Sequence, residues 1–202
     1  MADVRLPPVL RAAPAWAVRL CRAALPACVA LLAWACSGLA AAQNDSPLEY
    51  RVKAAFVYKF TGYVDWPATA FAKADAPFAI GVMNADEMAA ELEQAVAGRT
   101  VSNRGLAVKR LNAGDSLANL QILFVGKAAA ARLPQLAQAA QSRAILIVSE
   151  SEGALQQGSV INFSVAQQRV RFDVSLPSAE KNNVKLSSRL LNVAHNVVQG
   201  TP

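Results

Sequence analysis

Beyond residue 42 this chain has no cysteine; Cys21, Cys28 and Cys36 all precede that point. Residues 43–202 therefore cannot carry a disulfide framework, a catalytic thiol, a redox sensor or a thiolate metal site. Their stability must come from packing alone. Histidine is almost as scarce, with His195 the single copy, so no His/Cys set with zinc-ligand spacing can form. Long apolar runs are missing too. Ala23 to Cys36 spans 14 residues, short of the roughly 20 that cross a bilayer, and no later segment is long enough. Basic clusters are limited to Lys109-Arg110 and Arg169/Arg171, which argues against a nucleic-acid grip. The G-x-S-x-G, G-x-G-x-x-G and G-x-x-x-x-G-K-[ST] motifs are absent.

What is present begins with a leader. Arg5, Arg11, Arg19 and Arg22 form a basic stretch opposed only by Asp3. The apolar run follows, and Ala40-Ala41-Ala42 offers a small-residue cleavage site before Gln43. This is the layout of an export signal. It predicts a mature chain from Gln43 to Pro202, outside the cytoplasm and most simply in a bacterial periplasm, with no membrane span. A lipoprotein signal would instead cleave before Cys36, but Trp34 sits where a small residue is wanted. An uncleaved anchor is opposed by the short, alanine-rich run. Without the leader the chain keeps 16 Lys/Arg and 13 Asp/Glu, a net charge of about +3 against +6 for the whole. Its 160 residues suffice for one domain with a real core.

Ser46-Pro47-Leu48-Glu49 reads as a helix start, with Ser46 capping and Glu49 completing a capping box. Val52, Phe56, Phe60 and Tyr63 follow at helical spacing, beside a second apolar line through Leu48, Ala55 and Val64. Pro67 should stop this helix near Asp65-Trp66. Phe78–Met83 reads as a strand, then Asn84 as the cap of a helix through Met88, Leu92 and Val96 that Gly98 ends. Leu106–Leu111 alternates as a strand with one wet face. Asp115-Ser116 opens a turn or short helix, Ile122–Val125 is a buried strand, Ala128–Gln141 a helix interrupted at Pro134, and Ile145–Val148 another buried strand. Val160–Val165 and Arg169–Leu176 form an antiparallel hairpin. Ser187 or Ser188 caps a last helix expected to run through Leu190, Leu191, Ala194, Val197 and Val198. The alternation predicts a single three-layer α/β domain. Its sheet should be mixed and mainly parallel, with five or six strands and the hairpin at one edge.

Candidate sites are few, and each has a plain alternative. His195 is a general base or metal ligand on one reading, and a residue near a helix C-terminus on the other, which is preferred. Ser149-Glu150-Ser151-Glu152-Gly153 follows a strand, where α/β proteins often bind ligands, but an ordinary polar turn explains it as well. Asp65, Asp173, Glu150 and Glu152 lie near strand ends or turns, and no two form a pair that identifies glycosidase chemistry. Lys185, Ser187 and Ser188 offer an anion site at the start of the last helix; serine capping accounts for the same residues. Phe56, Phe60 and Tyr63 share a stripe that reads as core. Tyr58 points elsewhere, so with Lys59 and Trp66 it is the candidate partner patch, against packing of Trp66 under a loop. No catalytic residue, metal or cofactor is assigned.

Together these segments resemble the YfiR/HmsC-like family. The resemblance rests on Tyr50–Phe60 closing on Val64-Asp65-Trp66-Pro67, on Phe78–Val82, Gln121–Val125, Gly158–Phe163 and Val170–Val174, and on Leu186–Ala194. It covers nearly all of residues 43–202 in the right order. It implies a non-enzymatic periplasmic regulator that contacts the periplasmic sensor domain of an inner-membrane diguanylate cyclase. Holding that enzyme inactive lowers cyclic-di-GMP and restrains biofilm. Self-association as a homodimer is a further partner reading. Disulfides used by members of the family have no counterpart here, so redox control is not carried over. The competing function is a periplasmic small-ligand-binding protein that uses the strand ends and Lys185, Ser187 and Ser188.

Overall fold

A computed structural model describes residues 47–73 and 75–200. The leader, its cleavage site, Cys36 and the Ser46 cap lie outside them. Helix α1 (Pro47–Phe60) buries Tyr50, Lys53, Ala54, Val57 and Phe60. These positions recur at three- and four-residue steps and so share one face. Small Ala54 and Val57 let the helix lie close on the sheet. The expected stripe is thereby rotated: Val52 and Phe56 are half-buried at the shoulder, and Leu48 and Ala55 are exposed.

The helix also ends earlier than Asp65-Trp66. Thr61 Oγ1 donates to Tyr58 O at 2.5 Å and Gly62 N to Lys59 O at 3.0 Å, turning the chain before Pro67 acts. Val64–Asp65 becomes β1, paired antiparallel with β9 (Lys185–Leu186).

The main sheet holds β2 (Phe78–Met83), β3 (Thr100–Val101), β4 (Arg104–Leu111), β5 (Ile122–Val125), β6 (Leu146–Ser149), β7 (Ile161–Ala166), β8 (Arg169–Ser175) and β10 (Asn196–Val198). Their order is β10-β8-β7-β6-β5-β2-β4-β3. Only β7–β8 and β3–β4 are antiparallel, so the sheet is mainly parallel, as expected. It has eight strands rather than five or six. The hairpin is not its edge, because β10 lies parallel to β8 with Val197 opposite Val174. The last helix, α5 (Ser188–Val193), is correspondingly short. Ala194 is extended, and His195 N donates to Phe172 O at 2.8 Å, steering Val197 and Val198 into the ladder. Open backbone groups along β8 find partners there that a longer helix would not give them.

Helices cover both faces. Alternate residues of the central strands point to opposite sides. Ile80, Val82, Ile122, Phe124, Leu146 and Val148 meet α1, α2 (Asp86–Val96) and Leu190 of α5 in one core. Met83, Leu123, Val125 and Ile147 meet α3 (Leu133–Ala140) in the other. Pro134 stands in the first turn of α3, after a 3-10 segment at Lys127–Arg132. Asn84 does not cap α2. Its φ is +51°, and Ala85 holds the cap position, leaving Asp86 and Glu87 to complement the helix dipole. A further helix, α4 (Leu176–Lys181), follows β8 and is capped by Ser175, whose Oγ accepts from Ser178 N.

Candidate functional site

The C-terminal ends of β2, β5 and β6 are where an open parallel sheet usually binds its ligand. Here that crevice is filled. Gly126, just past β5, lies so close to β2 that an added Cβ would sit 2.5 Å from Asn84 O. Gly126 N donates to Met83 O at 3.0 Å. Beyond β6, Glu150 is buried, with its side chain 1% exposed. Lys53 reaches it from α1 at 2.5 Å, and Tyr50 Oη donates to its other oxygen at 3.3 Å. Lys53 also pairs with Glu49 one turn back and lies over the Tyr50 ring. Charges taken this far from water persist only when paired. The cluster thus ties the first half of α1 to the end of β6.

Beside it, α1 and the β7–β8 hairpin enclose a groove of about 630 Å³. Leu48, Val52 and Phe56 form one wall and Val165 and Val170 the other, with Glu49 and Arg169 among the remaining lining residues. Leu48 is 65% and Val165 52% exposed. Behind the groove, Phe56 joins Phe60, Phe163 and Phe172 in an aromatic cluster with ring centroids 5.2–6.3 Å apart, each such pair contributing about 0.5–1.5 kcal/mol beyond area burial. The groove is thus a largely apolar trough with Glu49 and Arg169 in its lining.

The residues singled out from sequence are dispersed. Tyr58 is half-buried with Arg99 over its ring at 4.7 Å, while Lys59 is exposed. Trp66 packs edge-on against Phe78 at 4.8 Å and lines a cavity of about 360 Å³ with Asp65, Phe71 and Arg104. Its Nε1 is buried and has no hydrogen-bond partner among the described residues. Lys185 is exposed beside Asp65, Ser187 Oγ accepts from Leu190 N at 3.3 Å, and Ser188 is exposed. His195 follows α5, with Nδ1 3.3 Å from Asp173 Oδ1 in a half-exposed pair of the kind worth little. Glu152 is exposed. Of the five-residue turn, only Glu150 enters the buried cluster. Lys53 was missed from sequence because a lysine on a helix reads as solvated. The available signal was its place between Tyr50 and Val57 on the buried face, with Glu49 four residues before it.

Among the described residues, no three His, Cys, Asp or Glu side chains could hold a metal ion, and no helix is long and apolar enough to cross a membrane. Fold and surface together define a small α/β domain with an open apolar groove. The chain belongs to the YfiR/HmsC-like family, whose sequence model matches residues 50–195. That membership points to a periplasmic regulator of diguanylate cyclase signalling. A search of curated proteins finds no match.

Proposed function

We propose that this protein is a non-enzymatic periplasmic repressor that binds the periplasmic domain of an inner-membrane diguanylate cyclase and favours its inactive state. The observation that carries the reading is the groove between α1 and the hairpin, with Leu48 and Val165 exposed on its rim. Apolar anchors in a desolvated groove dominate binding energy at protein interfaces. A repressor needs no catalytic group, only differential affinity; about 5.5 kcal/mol moves a two-state target from 1:99 to 99:1. Leu48→Glu and Val165→Glu should each weaken capture of the cyclase domain by about 30-fold, the loss of a 2 kcal/mol hot spot. If neither changes it and Trp66→Ala or Lys59→Glu does, the contact lies on the Tyr58–Lys59–Trp66 side.

A second reading, recognition of a small anion, is favoured by the unpartnered Trp66 Nε1. Lys185 is in register with Asp65 next to that cavity, and Ser187 and Ser188 follow it in the chain. A thermal-shift panel of amino acids, nucleotides and small anions tests it, and silence across the panel removes it.

A further inference from the structure

On the sheet face away from α1, a cleft of about 590 Å³ opens between α3, the turn at 155–158 and α4. Its volume falls in the range of small-molecule sites. Four glutamines converge on it: Gln138 and Gln141 from α3 and its end, Gln156 and Gln157 from the turn. Among the described residues that line it, Lys181 is the one charged side chain, and none carries a carboxylate or an aromatic ring. None of these five side chains makes a hydrogen bond or ion pair with the described residues.

The floor contrasts with these free walls. Gly158 sits at φ +100°, and a Cβ there would come within 2.5 Å of Ala137 Cβ. Ser175 Oγ donates to Ser178 Oγ at 3.0 Å, and buried Asn182 donates from Nδ2 to Ile145 O at 3.0 Å. Ser142 N donates to Lys181 O, holding the end of α4 against the end of α3. The base is therefore fixed, while the side-chain groups above it are unengaged.

The lining selects a ligand class by elimination. Without a carboxylate the cleft gives a cation no counter-charge. Without an aromatic ring it gives a nucleobase nothing to stack on. A purely apolar molecule would strip water from the amides without replacing their hydrogen bonds. Each glutamine amide offers two donors and one acceptor oxygen, a match for adjacent hydroxyls. Lys181 adds a single point charge for a carboxylate. Pro134, Leu155 and Pro177 supply apolar wall for the C–H face of a sugar ring. We propose that this cleft binds an acidic saccharide, with its hydroxyls on the glutamine amides and its carboxylate on Lys181.

The test is titration of the purified protein with trigalacturonate and with neutral chitotriose, read by calorimetry and amide chemical shifts. The expected result is saturable binding of trigalacturonate, with shifts confined to residues 134–142, 155–158 and 175–182. Lys181→Met should weaken it about tenfold, the loss of one charge-assisted hydrogen bond. Gln156→Leu/Gln157→Leu, on an exposed turn that leaves the core untouched, should weaken it further. Equal affinity for chitotriose, binding indifferent to Lys181→Met, or shifts elsewhere on the surface would each overturn the assignment, as would the absence of heat and shifts with both sugars at 10 mM.

Discussion

Two ion clusters in this protein have the same pattern of charge and opposite surroundings. In each, one cation stands between two carboxylates. Arg110 on β4 forks onto Glu93 with two contacts of 3.2 Å and reaches Asp86 at 3.1 Å. Lys53 makes one contact each with Glu150 and Glu49. Geometry favours the arginine cluster, and burial reverses the ranking. Arg110 and its partners are largely in water, where ion pairs contribute little. The Glu93 hydrogen bond foremost, with Asp86, raises the Arg110 pKa above its ordinary value; a guanidinium is already protonated at any working pH, so no pH dependence follows. Lys53 and Glu150 have side chains 2% and 1% exposed, so Glu150 left without Lys53 would be a stranded charge. The number of contacts in an ion cluster thus says less than what happens to the group left behind when one is removed.

The largest effect is expected from Lys53→Met, which strands Glu150. Urea unfolding should show a loss of about 3–5 kcal/mol, and a loss below 1 kcal/mol would mean that water reaches the cluster. Adding Glu150→Leu removes the stranded charge. The double variant should recover most of that loss, since apolar replacement of a buried pair is often neutral or better; a double variant as unstable as the single would point to lost shape instead of stranded charge. Tyr50→Phe deletes one long hydrogen bond to Glu150 and should cost about 1 kcal/mol by the same measurement. Arg110→Ala is the control at the other end. It should leave the urea midpoint within experimental scatter, and a clear shift would show that the exposed cluster does more than its surroundings allow.

The same contrast explains what could be read from the sequence. Ile122–Val125 and Phe78–Met83 are continuous apolar runs, and they emerged as strands buried on both faces. The helix around Met88, Leu92 and Val96 emerged with those residues buried. Short pairings did not announce themselves. Val64–Asp65 and Lys185–Leu186 are two-residue strands that exist only through each other, and Val197-Val198 continued a helical pattern until β8 claimed it. Asn84 has a good capping side chain but a left-handed backbone. At the candidate site, Val52 and Phe56 were legible as apolar but not as groove wall, because periodicity fixes a stripe and not the rotation of the helix on its sheet. Lys53–Glu150 joins residues far apart in sequence, and local pattern carries no trace of such a pair.

The position of β10 bears on how the molecule comes into being. The strand that covers β8 is drawn from Asn196–Val198, and Leu186 ties down Val64, so late segments of the described chain complete earlier ones. A contact as distant in sequence as Val64–Leu186 forms slowly. A chain threaded through a pore with its N-terminus leading would emerge with α1, the central strands and the hairpin before their closing partners arrived. During that interval the outer edge of β8 would be open to strands of other molecules. Chain completion is thus the step that removes an aggregation hazard, and a fusion or truncation near Val193 would prolong it.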